Sequence, residues 1–217
     1  IFDVDGDGDQ DVVTVAGGYE NDNENDYKHL VYLNNNGTFA PQELPIPPFP
    51  SVVLKPFDYD HDRDLDLFIG SRVKKGMYPY ANHSWLLYNV KGKYSVNPTS
   101  KLDLGMITNA VWTDYDKDGW EDLLVMREWN SPLVLKNMNG KVLVPKVYKE
   151  MEAHKGWWYS VGAGDFDNDG DDDYLMGNLG ENHRFNVSDE YPLQMYTINL
   201  NNNRSLEPLF TAYWKDD

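Results

Sequence analysis

The chain has no cysteine among its 217 residues, so neither a disulfide framework nor a thiolate metal site is open to it. Positive charge is scarce: 19 Lys and Arg stand against 36 Asp and Glu, giving a net charge of -17 and a pI near 4.5. A nucleic-acid backbone needs a basic patch, and the pair Lys74 and Lys75 is too short to make one, so no nucleic-acid partner is expected. No apolar run approaches the ~20 residues of a membrane-spanning helix, and no signal-peptide pattern is present. Nucleophile-elbow, zincin, P-loop and dinucleotide fingerprints are missing too, which removes the commonest signs of hydrolase and nucleotide chemistry. The five histidines follow no common spacing. Material for a core is nonetheless ample, with 41% hydrophobic and 14% aromatic residues.

What the chain does have is a nine-residue acidic pattern that returns four times, each time running into an apolar strand. The copies are DVDGDGDQD (3–11), DYDHDRDLD (58–66), DYDKDGWED (114–122) and DFDNDGDDD (165–173). They hold 21 of the 36 acidic residues, with only Arg63 and Lys117 inside them as offset, so nearly all of the net charge sits in these loops. A solvated acidic tail would not repeat its aspartates at fixed offsets. Carboxylates on alternate residues of a tight loop converge on one point, where a hard, oxygen-binding cation stabilises them. Calcium is therefore expected, at about four sites. The expected side-chain ligands are positions 1, 3, 5 and 9: Asp3, Asp5, Asp7 and Asp11; Asp58, Asp60, Asp62 and Asp66; Asp114, Asp116, Asp118 and Asp122; Asp165, Asp167, Asp169 and Asp173. Position 7 is expected to give a backbone carbonyl, from Asp9, Asp64, Trp120 and Asp171.

These are not EF-hands, because position 12 is Thr14, Ile69, Val125 or Met176 instead of a bidentate glutamate. Position 6, where positive φ is expected, is Gly8, Gly119 or Gly170, but Arg63 in the second loop, which should make that site the weakest.

Loop starts at 3, 58, 114 and 165 lie 51 to 56 residues apart, a period that points to a propeller or array. One strand enters each loop (52–57, 107–113, 157–163) and one leaves it (12–16, 65–70, 122–127, 174–177). A hairpin follows, turning at NNNG, NVKG or NMNG, where Asn and Gly are expected to supply positive φ. The fold class is thus all-β, with propeller blades of four antiparallel strands joined by Asp-rich calcium loops. Blades are expected at about 1–50, 51–104 and 105–155, with an irregular one at 156–192 and an incomplete one at 193–217. The chain is expected to be a segment of a larger propeller of six to eight blades, with missing blades or a partner chain covering its open edges.

The D-x-D-x-D-G-x-x-D loop, the apolar strand after it and the LYLNNNGTF-like hairpin resemble the FG-GAP and VCBS repeats of integrin α-like propellers. The stretch from DFDNDGDDDYLMGNLGEN to FTAYW further resembles the propeller part of bacterial ASPIC/UnbV-type proteins. A fifth candidate loop, NLNNNRSLE, replaces every aspartate and gains Arg204, so no metal is assigned to it. The resemblance implies a secreted protein at the extracellular or outer-membrane surface of a bacterium. It also implies a face opposite the calcium loops, built from long connections that include residues 17–29, 71–83, 127–130 and 178–191. The candidate contacts there are Tyr19, Arg72, Tyr78, Tyr80, Arg127, Trp129, His154, His183 and Arg184. Exposed aromatics beside Arg suit a protein or glycan partner at the cell surface. Three functions stay open: a non-catalytic adhesion or interaction module, a carbohydrate-binding or polysaccharide-lyase propeller, and a structural spacer.

Overall fold

The computed structural model describes residues 1–180, 185, 187–188, 190–200 and 206–213. Its strands follow the acidic loops. The first sheet runs β1 (Val12–Thr14), β2 (Leu30–Asn35) and β3 (Thr38–Glu43), antiparallel in chain order, and an isolated bridge between Phe2 and Asp11 stands where an entering strand would be. The second runs β4 (Ser51–Phe57), β5 (Asp66–Ser71), β6 (Ser84–Val90) and β7 (Lys93–Ser95), with β8 (Lys101–Leu102) also paired to β6. The third contains β9 (Met106–Thr113), β10 (Asp122–Asn130), β11 (Leu133–Asn137) and β12 (Leu143–Lys146). Next come β13 (Gly156–Gly164) and β14 (Asp173–Asn178), then a separate hairpin of β15 (Gln194–Ile198) and β16 (Glu207–Thr211). Antiparallel units of this kind, one after another, are those of a β-propeller segment.

Period-two alternation explains how the sheets stack. On β5, Leu67 and Ile69 join a cluster with Val4, Val31 and Phe49 of the first unit, while Phe68 between them faces Leu123, Val125 and Leu135 of the third. On β10 the odd residues Leu123 and Val125 face the second sheet, and Leu124 and Met126 face Trp158, Val161, Tyr174 and Met176 of the fourth. Both faces of these two strands are therefore buried, which is why they read as unbroken apolar runs. On β14, by contrast, Tyr174 and Met176 pack inward and Leu175 is 72% exposed.

One expectation is corrected. Residues 127–130 are not a connection: they extend β10, whose end shifts register and pairs with β13 through Glu128 opposite Trp157 and Asn130 opposite Gly156. The third and fourth units thus share one sheet. In the hairpin turns Asn36 and Gly37, and Asn139 and Gly140, supply positive φ as expected, while in the second turn Lys91 takes the asparagine's place beside Gly92. Two consecutive left-handed residues match the right-handed twist of the flanking strands.

One buried polar group makes the core pH-sensitive. His29 is 3% exposed, its Nε2 lies 3.1 Å from Ser51 Oγ, its ring packs on Phe49 at 4.5 Å, and Nδ1 has no partner. Burial disfavours the imidazolium and lowers the pKa to about 4. The stability this contributes is complete above the ordinary histidine range and is lost as pH falls towards about 4, because the unfolded chain takes up the proton first. The melting temperature should therefore drop less between pH 7 and pH 5 in His29→Gln than in the wild type; equal drops would contradict a neutral buried ring.

Candidate metal centres at the strand corners

Each acidic loop is a corner that carries the chain from an entering to a leaving strand, and its first aspartate organises it. Asp3 accepts from Gly6 N at 2.8 Å and Gly8 N at 3.0 Å; Asp114 accepts from Asp118 N at 3.0 Å and Gly119 N at 2.8 Å. Asp165 does the same with Asp169 N and Gly170 N, both at 3.1 Å, and Asp58 accepts from Arg63 N at 3.0 Å. Closing so tight a ring requires left-handed backbone at position 6 as expected: φ is 94° at Gly8, 80° at Arg63, 86° at Gly119 and 92° at Gly170. Position 4 is left-handed as well, at Gly6, His61, Lys117 and Asn168, a feature that four dissimilar side chains conceal in the sequence.

The ninth position ties the corner to its hairpin. Asp11 accepts from Val4 N at 2.6 Å and from Asn34 N at 2.7 Å; Asp66 accepts from Tyr59 N at 3.1 Å and Asn89 N at 2.8 Å. Asp122 accepts from Asn137 N at 2.7 Å, though in this loop Tyr115 N turns to Thr113 O; Asp173 accepts from Phe166 N at 3.0 Å. Asp11, Asp66 and Asp122 are each 1% exposed. The asparagines that meet the first three are the residues that open the NNNG, NVKG and NMNG turns. Their Oδ1 accepts from Gly37, Gly92 or Gly140 N, and their Nδ2 donates to the carbonyl of loop position 8, at Gln10, Leu65 or Glu121. Asn89 and Asn137 reach further, donating to Val4 O at 2.8 Å and Tyr59 O at 3.1 Å in the preceding corner.

Successive corners touch directly. A Cβ on Gly92 would lie 2.6 Å from Asp5 Cβ, and one on Gly140 2.7 Å from Asp60 Cα, so each turn seats its glycine on the corner before it. Position 4 of one loop also meets position 7 of the next. His61 stacks on Trp120 with centroids 4.2 Å apart and planes 6° apart, and Lys117 Nζ lies 2.7 Å from Asp171 Oδ2.

Three of the four expected carboxylates converge in each loop, and Asp7, Asp66, Asp122 and Asp169 fall outside these groups. Ligand atoms from Asp3, Asp5 and Asp11, from Asp58, Asp60 and Asp62, from Asp114, Asp116 and Asp118, and from Asp165, Asp167 and Asp173 lie within 4.8 Å of one another in each group. In the second corner Asp58 Oδ1 and Asp60 Oδ1 are buried with no partner, a costly arrangement unless a cation sits between them. Burial first, then neighbouring aspartates, raises the pKa of Asp5 and Asp60; burial pushes Asp66 up to about 7 and also raises Asp122. An all-carboxylate donor set under this strain fits a hard divalent ion. The third corner differs: Lys136 Nζ bonds Asp116, and lies 2.6 Å from Asp118 Oδ2, whose pKa it lowers.

At the other ends of the strands, part of the expected ligand face comes together. Arg72 Nε donates to Glu128 Oε2 at 2.6 Å, Tyr78 OH donates to Glu128 Oε1 at 2.9 Å, and Trp129 Nε1 donates to Tyr78 OH at 2.8 Å. The Glu128 side chain, 4% exposed, is the hub of this group and was not among the expected residues. Trp129 also packs against Trp157 at 5.0 Å and Phe210 at 5.7 Å. Tyr19 lines a pocket with Glu20, Val52 and Arg72, and Tyr80 OH is 3.2 Å from Thr197 Oγ1. Arg127 instead turns inward, donating to Ser131 O at 2.8 Å and Leu104 O at 3.4 Å. His154 is exposed in the turn before β13, where its carbonyl accepts from Trp158 Nε1 at 3.0 Å. His183 and Arg184, like residues 201–205 of the fifth candidate loop, lie outside the described residues.

The sequence model of a family described as FG-GAP-like repeat matches residues 3–69 and 114–176. Each match opens on position 1 of an acidic loop and closes within the strand that leaves the next one. No curated protein and no solved structure matches the chain.

The asparagine clamp gives a graded expectation. Asn89→Ala strands several buried backbone groups and should cost about 3 kcal/mol, at ~1 kcal/mol or more per unsatisfied group. Asn34→Ala, half-buried and without the bond to a preceding corner, should cost under about 1.5 kcal/mol. Urea unfolding of both variants in one buffer checks this, and equal costs would contradict the bond between corners.

Proposed function

The chain belongs to the FG-GAP-like repeat family, and on that premise we propose that it is a non-catalytic, calcium-binding propeller module that presents a protein-interaction surface outside the cell. The observation that carries the metal part is the second corner, where Asp58 Oδ1 and Asp60 Oδ1 are buried, partnerless and aimed into a shared carboxylate cluster. Asp3, Asp5 and Asp11, Asp58, Asp60 and Asp62, and Asp165, Asp167 and Asp173 would hold the ions. Calcium there neutralises converging carboxylates and fixes the corner. Such sites fill most readily where calcium is abundant, which favours an extracellular setting.

Support for an interaction surface comes from the far strand ends. A satisfied, buried Glu128 fixes Arg72, Tyr78 and, through Tyr78, Trp129, so that aromatic and guanidinium groups are presented without further ordering cost. Rigid Trp, Tyr and Arg side chains are the usual anchors of protein interfaces. The glycan-binding or lyase reading draws on the same Trp129, Trp157 and Phe210 cluster, since sugar rings also stack on aromatics. Against a lyase stands Arg127, whose guanidinium is spent on backbone carbonyls and is not free to neutralise a uronate.

Asp60→Asn and Asp167→Asn should lower the melting temperature in calcium by about 5 °C, the loss of one well-filled site in a domain of this size. In EDTA they should leave it unchanged or raise it, because a repelling charge is gone. Equal losses in both conditions would mean that no ion is held. Binding to surface proteins, with no signal on a glycan array and no cleavage of acidic polysaccharides, is the expected partner profile; turnover of a polysaccharide would overturn the non-catalytic reading.

A further inference from the structure

The third corner already contains a cation. Lys136 Nζ bonds Asp116 Oδ1, lies 2.6 Å from Asp118 Oδ2 and is 3.8 Å from Asp122 Oδ1, with its side chain only 11% exposed. Asp116 and Asp118 are two of the three carboxylates that would hold a divalent ion there. Among the described residues, no ammonium or guanidinium lies within ion-pair distance of the converging carboxylates in the first, second and fourth corners; in the fourth, Lys117 pairs with Asp171, outside that group.

The placement is built into the strand and does not come from a surface side chain folding over. Lys136 is the residue before the clamp asparagine, Asn137. The equivalent positions before Asn34 and Asn89 are Leu33 and Tyr88, and both pack against the apolar clusters between sheets. By strand alternation Lys136 shares the face of Val134, which packs with Tyr115 and Tyr148 between the third and fourth units. Its stem is thus confined by that layer, and its head is delivered to the corner. An ammonium has three donors and no acceptor, so it satisfies carboxylate oxygens but offers nothing to a metal. A divalent ion entering this corner meets a like charge, and the stem behind that charge has little room to withdraw.

We propose that Lys136 is the resident cation of the third corner, so that this corner stays assembled without metal and the chain takes one divalent ion fewer than it has acidic loops. The ion count rests on the calcium reading of the other three corners; the ammonium's structural role does not. The consequence is a joint between the second and fourth units that does not loosen when calcium is withdrawn.

Native mass spectrometry in calcium should count three ions on the wild type and four on Lys136→Met, which keeps the stem and removes the charge. In EDTA, Asp116→Asn should lower the melting temperature of the wild type by about 3 °C, as loss of a part-buried ion pair would. Four ions on the wild type, or the same non-zero count on both proteins, overturns the proposal. A wild type that binds no calcium overturns the calcium reading instead, and the EDTA measurement then decides: a fall supports the resident ammonium, and no change overturns it. That arm also decides should Lys136→Met fail to fold.

Discussion

A carboxylate at the end of each acidic loop, buried in the first three and part-buried in the fourth, carries the architecture. In the first two units it accepts one N–H from the start of its own corner and one from the hairpin that follows, so a single side chain joins loop and sheet. Burial disfavours the anion and raises the pKa of Asp66 and Asp122, and the backbone N–H groups that point at each carboxylate offset part of that cost. The asparagine opposite completes the arrangement, holding the hairpin turn and, in the second and third units, the carbonyl of the corner before. The repeat is therefore linked along its length by polar contacts at one end of the strands, while apolar side chains on alternating strand positions fill the space between sheets.

This construction concentrates negative charge at one end of the molecule. Three or more carboxylates share each corner, and burial with mutual repulsion raises several of their pKa values. Each corner must then be neutralised. The second shows the need most plainly in its two unpartnered oxygens, and the third meets it with an ammonium of its own. At the far strand ends Arg72 is matched to Glu128. On the proposed function, the acidic ends would be neutralised by cations and the opposite ends would serve recognition.

Much of this was legible in the sequence. Fixed aspartate offsets located the corners, and the apolar run after each loop placed β5 and β10 within a residue of their observed starts. Arg63, expected to make the second site the weakest, is left-handed at φ 80°, and the unpartnered oxygens of that corner are Asp58 Oδ1 and Asp60 Oδ1. What escaped notice depends on neighbours distant in the chain. Asn34, Asn89 and Asn137 look like turn formers, and their clamp role appears only when the ninth aspartate is brought beside them. Lys136 looks like an ordinary strand lysine until the corner closes around its head. The extension of β10 through residues 127–130 pairs Arg127 and Glu128 with β9 and Glu128 and Asn130 with β13, which no local pattern announces. Glu128, read as part of a loop, is buried by the same pairing.

Hydrogen exchange across the corners tests the central claim most directly. The amides that point at Asp3, Asp58 and Asp165, those of Gly8, Arg63 and Gly170, should be protected in calcium and exchange fast in EDTA, while β5 and β10 keep their protection in both. Corner amides that exchange at the same rate with and without calcium would contradict an architecture neutralised by bound cations.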